Sequence, residues 1–521
     1  MRHIADDLQS KAHYFNRQLV LCCSLIALST FNYGFDNQAF ATTQAMDAFT
    51  KQFGDYNGST GKYGLPTSWL SLFNSLNYIG FAAGVLTGSW ISGHYGRRMC
   101  MFVMSIYALA TATIAVTSHS KEQIMAARIL NYVYVGMELA VVPAFQSEIV
   151  PAPVRGFIVG TYQLSLIIGG LVINCICLGT AHLPDNRAWR IPIGLFYIVP
   201  TIIASLVWLI PESPRWLLSQ GRVDEARANL LRLRSGAFSE DEMEAELRET
   251  QYQLEIEKEK GNFWEIFRPR NLRRTFLVVG INIFQQATGQ QFASQYGTVY
   301  AKSLGTVNPF VFTVIVAVIN ALATGVSLLI NDKVGRRGPL LLSASIMCAS
   351  LITMGGLGTP AVLTTSLKIG IVSMLSLMAC GFSIGLAPLT YVVATELPAL
   401  RLRDATLRLG FFVNVLFNFL SNFSLPYLLY EPYANLGSKT GFVFGSIAAL
   451  AVVFIFFCVP ECKGKSLEQI DRMFLEKVPL RKFGTFDVSN LMPVGSKLEE
   501  SRAAGLEEKC TIKSTRSELE I

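Results

Sequence analysis

About twelve runs of apolar residues, each near the roughly 20 residues a helix needs to cross a bilayer, punctuate this chain. They lie at 18–40, 69–92, 100–117, 124–147, 156–179, 191–210, 275–299, 309–330, 339–358, 368–394, 406–430 and 439–459. Hydrocarbon offers a peptide group nothing to hydrogen-bond, so a run of that length must satisfy its own backbone as a helix. The chain is therefore predicted to be an all-α membrane protein with twelve transmembrane helices. That pattern overrides the several soluble domains that 521 residues would otherwise suggest. Composition agrees, since only 16% of the residues are charged, against about 25% in soluble chains.

Lys and Arg concentrate in the cytoplasmic loops of membrane proteins. Arg97, Arg98, Arg155, Lys333, Arg336, Arg337, Arg401 and Arg403 fall in loops on one side, with both termini and a polar stretch between the sixth and seventh runs. That side is predicted to be cytoplasmic. The opposite loops hold fewer, such as Lys51, Lys62 and Lys302. The net charge of +7 is spread over these short loops, so it reads as membrane topology, and no nucleic-acid partner is expected. The N-terminus is polar for too long to begin a cleavable signal, and the first helix is expected to stay as an anchor. The predicted organisation is a cytoplasmic N-terminus (1–17), a six-helix bundle (18–210), a cytoplasmic helical linker (211–274), a second six-helix bundle (275–459) and a cytoplasmic tail (460–521). Asn57-Gly58-Ser59 is a glycosylation sequon in a long outward loop, so Asn57 is a candidate acceptor. Asn422-Phe423-Ser424 lies inside a span and should be unusable. Cys22, Cys23, Cys175, Cys177, Cys348, Cys380 and Cys458 lie inside apolar runs, where cysteine behaves as a small hydrophobe. No Cys/His spacing suits a metal, so no metal or cofactor is expected. No nucleophile–base or nucleotide motif points to an enzyme.

Three features recur in the two halves. HYGRR at 94–98 returns as KVGRR at 333–337, SEIVPAPVRG at 147–156 as TELPALRLRD at 395–404, and PESPRWL at 211–217 as PECKGKSL at 460–467. Six helices, a linker and six similar helices are the build of many transporters, with the substrate site between the halves near mid-membrane. These motifs resemble those of the sugar porters of the major facilitator superfamily, over residues 20–475 and with details closest to the fungal branch. The resemblance implies the major facilitator fold, with a small cytoplasmic helical domain between the halves.

Alternating access needs contacts that close the cytoplasmic side and break at little cost, which suits exposed Arg–carboxylate pairs. Glu148 and Arg155 in the first half share a spacing of seven with Glu396 and Arg403 in the second. Together with Arg97, Glu212, Arg215, Asp332, Arg336 and Glu461 they are the expected cytoplasmic gate. The loop of the first half has Gly93 and His94 where the family carries an aspartate. In the linker, Val223, Ala226, Leu230 and Leu233 fall on one helical face. Ser239 and Glu242 form a capping box that starts the next helix.

Polar residues inside spans are expensive and mark function. The eleventh run carries Asn414, Asn418 and Asn422, four apart and so stacked on one face. The fifth carries Gln163 and Asn174, and the seventh Gln285, Gln286, Gln290 and Gln291 around Gly289. That density of amides and glycines predicts a helix loosened where it lines a cavity. Amides both donate and accept, as a polyhydroxyl substrate does. The resemblance implies that Gln163, Gln285, Gln286, Gln291, Tyr391 and Asn418 bind the sugar. Gln291 replaces the usual Asn, Gln295 one of two tyrosines, and Tyr391 the usual Trp, which implies a shifted cavity.

Asp36 sits in the first run, in FNYGFDNQAF, where an aspartate costs about 2.5–3.5 kcal/mol at a helix centre. Arg128 in the fourth run lies at a similar depth, counted from the outer end. Burial disfavours the carboxylate charge and a nearby guanidinium favours it, so a change in their separation can switch protonation. An acid at this position resembles the mark of the family's proton symporters. Asp36 is therefore expected to be the proton site and Arg128 its modulator. Glu138 is a second intramembrane acid without an assigned role. The leading reading is a proton-coupled importer of a sugar or related polyol, a monomer in contact with lipid at the plasma membrane. The competing readings are a uniporter or exporter of a sugar-like metabolite, and a sensor that binds sugar without moving it.

Overall fold

The computed structural model describes residues 13–58, 61–257, 262–360, 362–465 and 467–486. Eleven of its helices are long and apolar enough to cross a membrane. In order these are Arg17–Thr43, Thr67–Tyr95, Arg97–Val116, Lys121–Ile149, Thr161–Thr180, Arg187–Leu209, Pro309–Ser327, Arg337–Leu357, Thr365–Glu396, Arg403–Leu429 and Gly437–Cys458. The seventh span, between Leu209 and Pro309, completes twelve but is not one helix. It runs as Pro269–Ala287, Gln290–Ser294 and Gly297–Leu304. The first break is at Gly289, whose φ of +87° is left-handed and closed to most side chains. The glutamine-rich loosening expected from the sequence is thus a real interruption. The tenth span is also interrupted, at Gly385, where Ser343 Oγ receives the Leu386 N–H at 3.1 Å and Ser327 Oγ donates to the Ile384 carbonyl at 2.8 Å.

Each half has its own large apolar core. Within the first half the first and fifth spans cross closely. A Cβ on Gly34 would lie 1.8 Å from the Leu166 carbonyl oxygen, and one on Gly169 2.0 Å from that of Phe31. Small residues at such crossings let helices approach where lipid supplies no hydrophobic drive. This contact fixes the first span, and with it Asp36, against the fifth.

The inner side is the one that carries the basic loops. There, helices Pro214–Ser219, Val223–Arg234 and Glu240–Glu257 enclose a small core of Trp216, Leu217, Ala226, Leu230, Met243 and Leu247. The capping box forms as expected: Ser239 Oγ receives the Glu242 N–H at 3.3 Å and Glu242 Oε2 the Ser239 N–H at 2.8 Å. Val223 is the exception to its predicted face. At the first turn of its helix it lies beyond the core and is 41% exposed. Arg234 ties this unit to the first half, donating to Glu246 at 2.8 Å and to the Ile149 carbonyl at 2.7 Å. On the outer side, strands Asp55–Asn57 and Lys62–Gly64 pair antiparallel as a hairpin.

Candidate functional site

The eleventh-span asparagines do stack on one face, and they meet the broken seventh span. Asn414 Nδ2 donates to Gln285 Oε1 at 2.7 Å and to Asn282 Oδ1 at 3.2 Å, and its Oδ1 receives Gln286 Nε2 at 3.1 Å. Gln291 Nε2 donates in turn to Gln286 Oε1 at 3.2 Å. Gln285 Nε2 reaches the Leu386 and Ala387 carbonyls, both at 3.3 Å, just past the break in the tenth span. The two interruptions therefore face each other across one amide lattice. Tyr391, one turn further along the tenth span, has its hydroxyl beside Gln285 and is 42% exposed. Tyr33 and Tyr162 of the first half face it. Gln163, next to Tyr162, is half-buried and makes no hydrogen bond among the described residues. Asn174 is instead engaged within its half, receiving Thr42 Oγ1 at 2.7 Å.

Asp36 and Arg128 meet. Arg128 Nη1 lies 3.3 Å from Asp36 Oδ2, with side-chain exposures of 3% and 13%. Asn131, three residues along the fourth span from Arg128, receives Thr111 Oγ1 on its Oδ1 at 3.0 Å. The guanidinium sits 4.4 Å from the ring centres of both Phe40 and Tyr132. It donates to the Tyr132 hydroxyl at 3.1 Å, which donates to Asn37 Oδ1 at 2.7 Å. Asn37 Oδ1 also receives Gln295 Nε2 of the other half at 3.1 Å. The ion pair is thus one residue from a contact between halves. Sequence reasoning did not find this chain of donors, because it needs three spans in register.

Asn418 sits further out than the lattice, in the seam between halves. Tyr78 OH donates to its Oδ1 at 2.8 Å, and Asn422 Nδ2 to the same atom at 2.8 Å. Ser71 donates to the Phe423 carbonyl, Thr67 to the Glu431 carbonyl, and Lys302 to Asp47 and the Ala45 carbonyl. Among the described residues every hydrogen bond between the halves lies on this outer side.

The inner motifs form two separate copies of one arrangement. Glu212 receives the backbone N–H of Arg97 at 3.0 Å and of Arg98 at 3.1 Å, while Glu461 receives those of Arg336 at 2.9 Å and Arg337 at 3.0 Å. Arg97 then grips Glu148 with two bonds of 2.9 Å, and Arg336 reaches Glu396 at 3.0 Å. Each glutamate caps the N-terminus of a span, where the helix dipole favours an anion. Burial pushes the Glu212 carboxyl up from its ordinary range, against the pull of the backbone N–H groups on it. Where the family's aspartate is replaced by Gly93, the carbonyl of that residue receives Trp216 Nε1 at 2.8 Å. The Arg97–Glu148 and Arg336–Glu396 pairs each lie within one half. Arg215 keeps a partner of its own, and Arg403 opens the eleventh-span helix. The side chains of Asn57, Arg155 and Asp332 lie outside the described residues. Among the described residues no group of His, Cys, Asp and Glu is arranged to hold a metal.

A family model described as "Sugar (and other) transporter" matches residues 22–474. The low-affinity glucose transporter HXT3 of Saccharomyces cerevisiae is 28% identical over 471 residues, covering 88% of this chain and 82% of that protein. The major facilitator-type transporter ecdD of Aspergillus rugulosus is 28% identical over 472 residues, covering 88% and 87%. Among solved structures, the xylose transporter XylE from E. coli, partially occluded and inward open, is similar in fold with a TM-score of 0.70 at 20% identity. It covers 87% of this chain and 100% of that one. The proton:xylose symporter XylE bound to 6-bromo-6-deoxy-D-glucose gives 0.70 at 21%, covering 88% and 99%. The match over almost the whole chain, on a fold of twelve spans, makes this protein a member of the sugar (and other) transporter family, a multi-pass membrane transporter of the major facilitator superfamily and not an enzyme.

Proposed function

We propose that this transporter imports a sugar or related polyol with a proton across the plasma membrane by alternating access, as a monomer in lipid. The two six-helix bundles, 18–210 and 275–459, are the rocking units, and the inner helices of 211–274 brace the first. Gln163, Gln285, Gln286, Gln291, Tyr391 and Asn418 contact the substrate. The supporting features are neutral amides that can replace a sugar's hydration shell without committing a charge, and an open phenol for its ring. The relatives are named for glucose and, by fold, for proton:xylose symport; these are substrates of the same polyhydroxyl class.

The observation that carries the coupling is Asp36, buried in the membrane 3.3 Å from Arg128. A proton on Asp36 releases the guanidinium, and the Tyr132–Asn37–Gln295 chain carries that change to the seam between halves. A proton can drive transport only by favouring one state over the other, and this chain gives it a route. On the inner side, Glu148, Arg155, Arg97, Glu212, Arg215, Asp332, Arg336, Glu396, Arg403 and Glu461 hold the ends of the spans that must close there.

The test is uptake of a panel of labelled sugars by proteoliposomes with and without an imposed pH gradient. One pH unit is worth about 1.4 kcal/mol, so a one-proton symporter should accumulate its sugar about tenfold. Asp36→Asn should equilibrate the sugar without accumulating it. Full accumulation by that variant would refute the assignment of Asp36. Uptake indifferent to the gradient in the unmodified protein would make it a uniporter instead.

A further inference from the structure

Glu138 is an acid that neither the ion pair nor the amide lattice uses. It lies ten residues inward of Arg128 on the fourth span, roughly 15 Å along the helix, and its exposure is 0%. Its Oε2 receives the Tyr162 hydroxyl of the fifth span at 2.9 Å. Its Oε1 is buried without a partner. The groups facing it are the Thr30 hydroxyl and the phenols of Tyr33, Tyr134 and Tyr162. Among the described residues no Lys, Arg or His pairs with it, and Arg128 of the same span is engaged with Asp36.

An ionised carboxylate has about four acceptor positions to fill, and this one meets few donors and no counter-charge. Burying a bare charge is far more expensive than burying a neutral acid in the same place. The neutral form needs no cation, and its single unmet oxygen is tolerable. Asp36 and Glu138 therefore differ in kind: one acid is held beside a cation, the other is left without one. Tyr162, the donor to Glu138, is itself half-buried and next to Gln163.

We infer that Glu138 is a second proton-binding group of this transporter, carrying a proton in this conformation while the Tyr162 hydroxyl holds its Oε2. When water reaches Oε1, the O–H bond breaks, the electron pair stays on the carboxylate, and the proton leaves as hydronium toward the cytoplasm. Reprotonation reverses the step. Its use in coupling rests on the proton-symport reading; its protonation does not.

The test is infrared spectroscopy of the purified protein at neutral pH, reading the carbonyl stretch of protonated carboxyl groups. The band should vanish in Glu138→Gln and persist in Asp36→Asn. In Tyr162→Phe it should stay but move to higher frequency, because the carbonyl loses its donor. Substrate exchange should fall with rising pH in the unmodified protein, and Glu138→Gln should lose that fall. A band unchanged by Glu138→Gln, or a pH profile that the substitution does not move, overturns the inference. Where Glu138→Gln yields no folded protein, the frequency shift in Tyr162→Phe decides alone. Normal accumulation by Asp36→Asn would sink the coupling reading while leaving the infrared assignment of Glu138 intact.

Discussion

Asn414 and Gln163 are both amides of the candidate cavity, yet they meet it in opposite ways. Asn414 is buried and bonded to Asn282, Gln285 and Gln286, whereas Gln163 is half-buried with its amide uncommitted among the described residues. Removing a partner from a buried polar group costs about 1–3 kcal/mol. Asn414→Ala should therefore lower the thermal unfolding midpoint, leaving three amides short of a bond. Gln163→Ala should leave that midpoint in place and raise KM about tenfold, the worth of one hydrogen bond to a substrate. Unfolding scans beside uptake kinetics separate the two, and equal effects on both quantities would contradict this division. At this scale the Asp36–Arg128 pair was legible, since counting residues from the outer end of two spans gives depth. The Tyr162 partner of Glu138 was not, because the rotation of one helix about its axis relative to another leaves no mark in either sequence.

The repeated Gly-Arg-Arg element is the same physical device twice. Gly96 has φ +98° and Gly335 φ +102°, and a Cβ on either would fall 2.3 Å or 2.6 Å from the Oε2 atom of Glu212 or Glu461. Alanine at Gly96 must carry a positive-φ extended backbone (φ +98°, ψ 167°) that is essentially glycine-only, about 1–3 kcal/mol, and push away a charged cap whose bonds are worth about 1.5–3 kcal/mol. Gly96→Ala and Gly335→Ala should each destabilise by at least about 2 kcal/mol, read as a lower unfolding midpoint or poor yield. Gly93→Ala, with open space around its Cβ, is the control and should be near neutral. The repeat itself, the capping box at Ser239 and the loosened seventh span could all be read from residue order, because each is set by neighbours within a turn or two. The direction of the Arg–Glu pairs could not. The same residues can bridge halves or bind within one, and only the packed chain shows the second arrangement.

Across the whole molecule, the halves are held by an outer seam centred on Tyr78, Asn418 and Asn422. Tyr78→Phe removes two of these bonds while keeping the ring. At about 1 kcal/mol net for each hydrogen bond, it should shift the balance toward an outward-open form about thirtyfold. Distances between spin labels placed across the outer mouth would report this, and an unchanged distribution would mean that the seam does not hold the closed side. The exposed Lys302–Asp47 contact, with side-chain exposures of 36% and 92%, should contribute less, as surface ion pairs do. The sequence by itself determined that this chain spans a membrane repeatedly, in two like halves with the basic loops on one side. Those features follow from hydrophobic length and from charge, which act residue by residue against the solvent. Only the tertiary structure decided which residues bond the halves together on the outer side, which carboxylate stands beside a cation and which stands alone. These depend on how whole helices are turned and tilted against one another, and that geometry is a sum over many weak contacts rather than a property of any one segment.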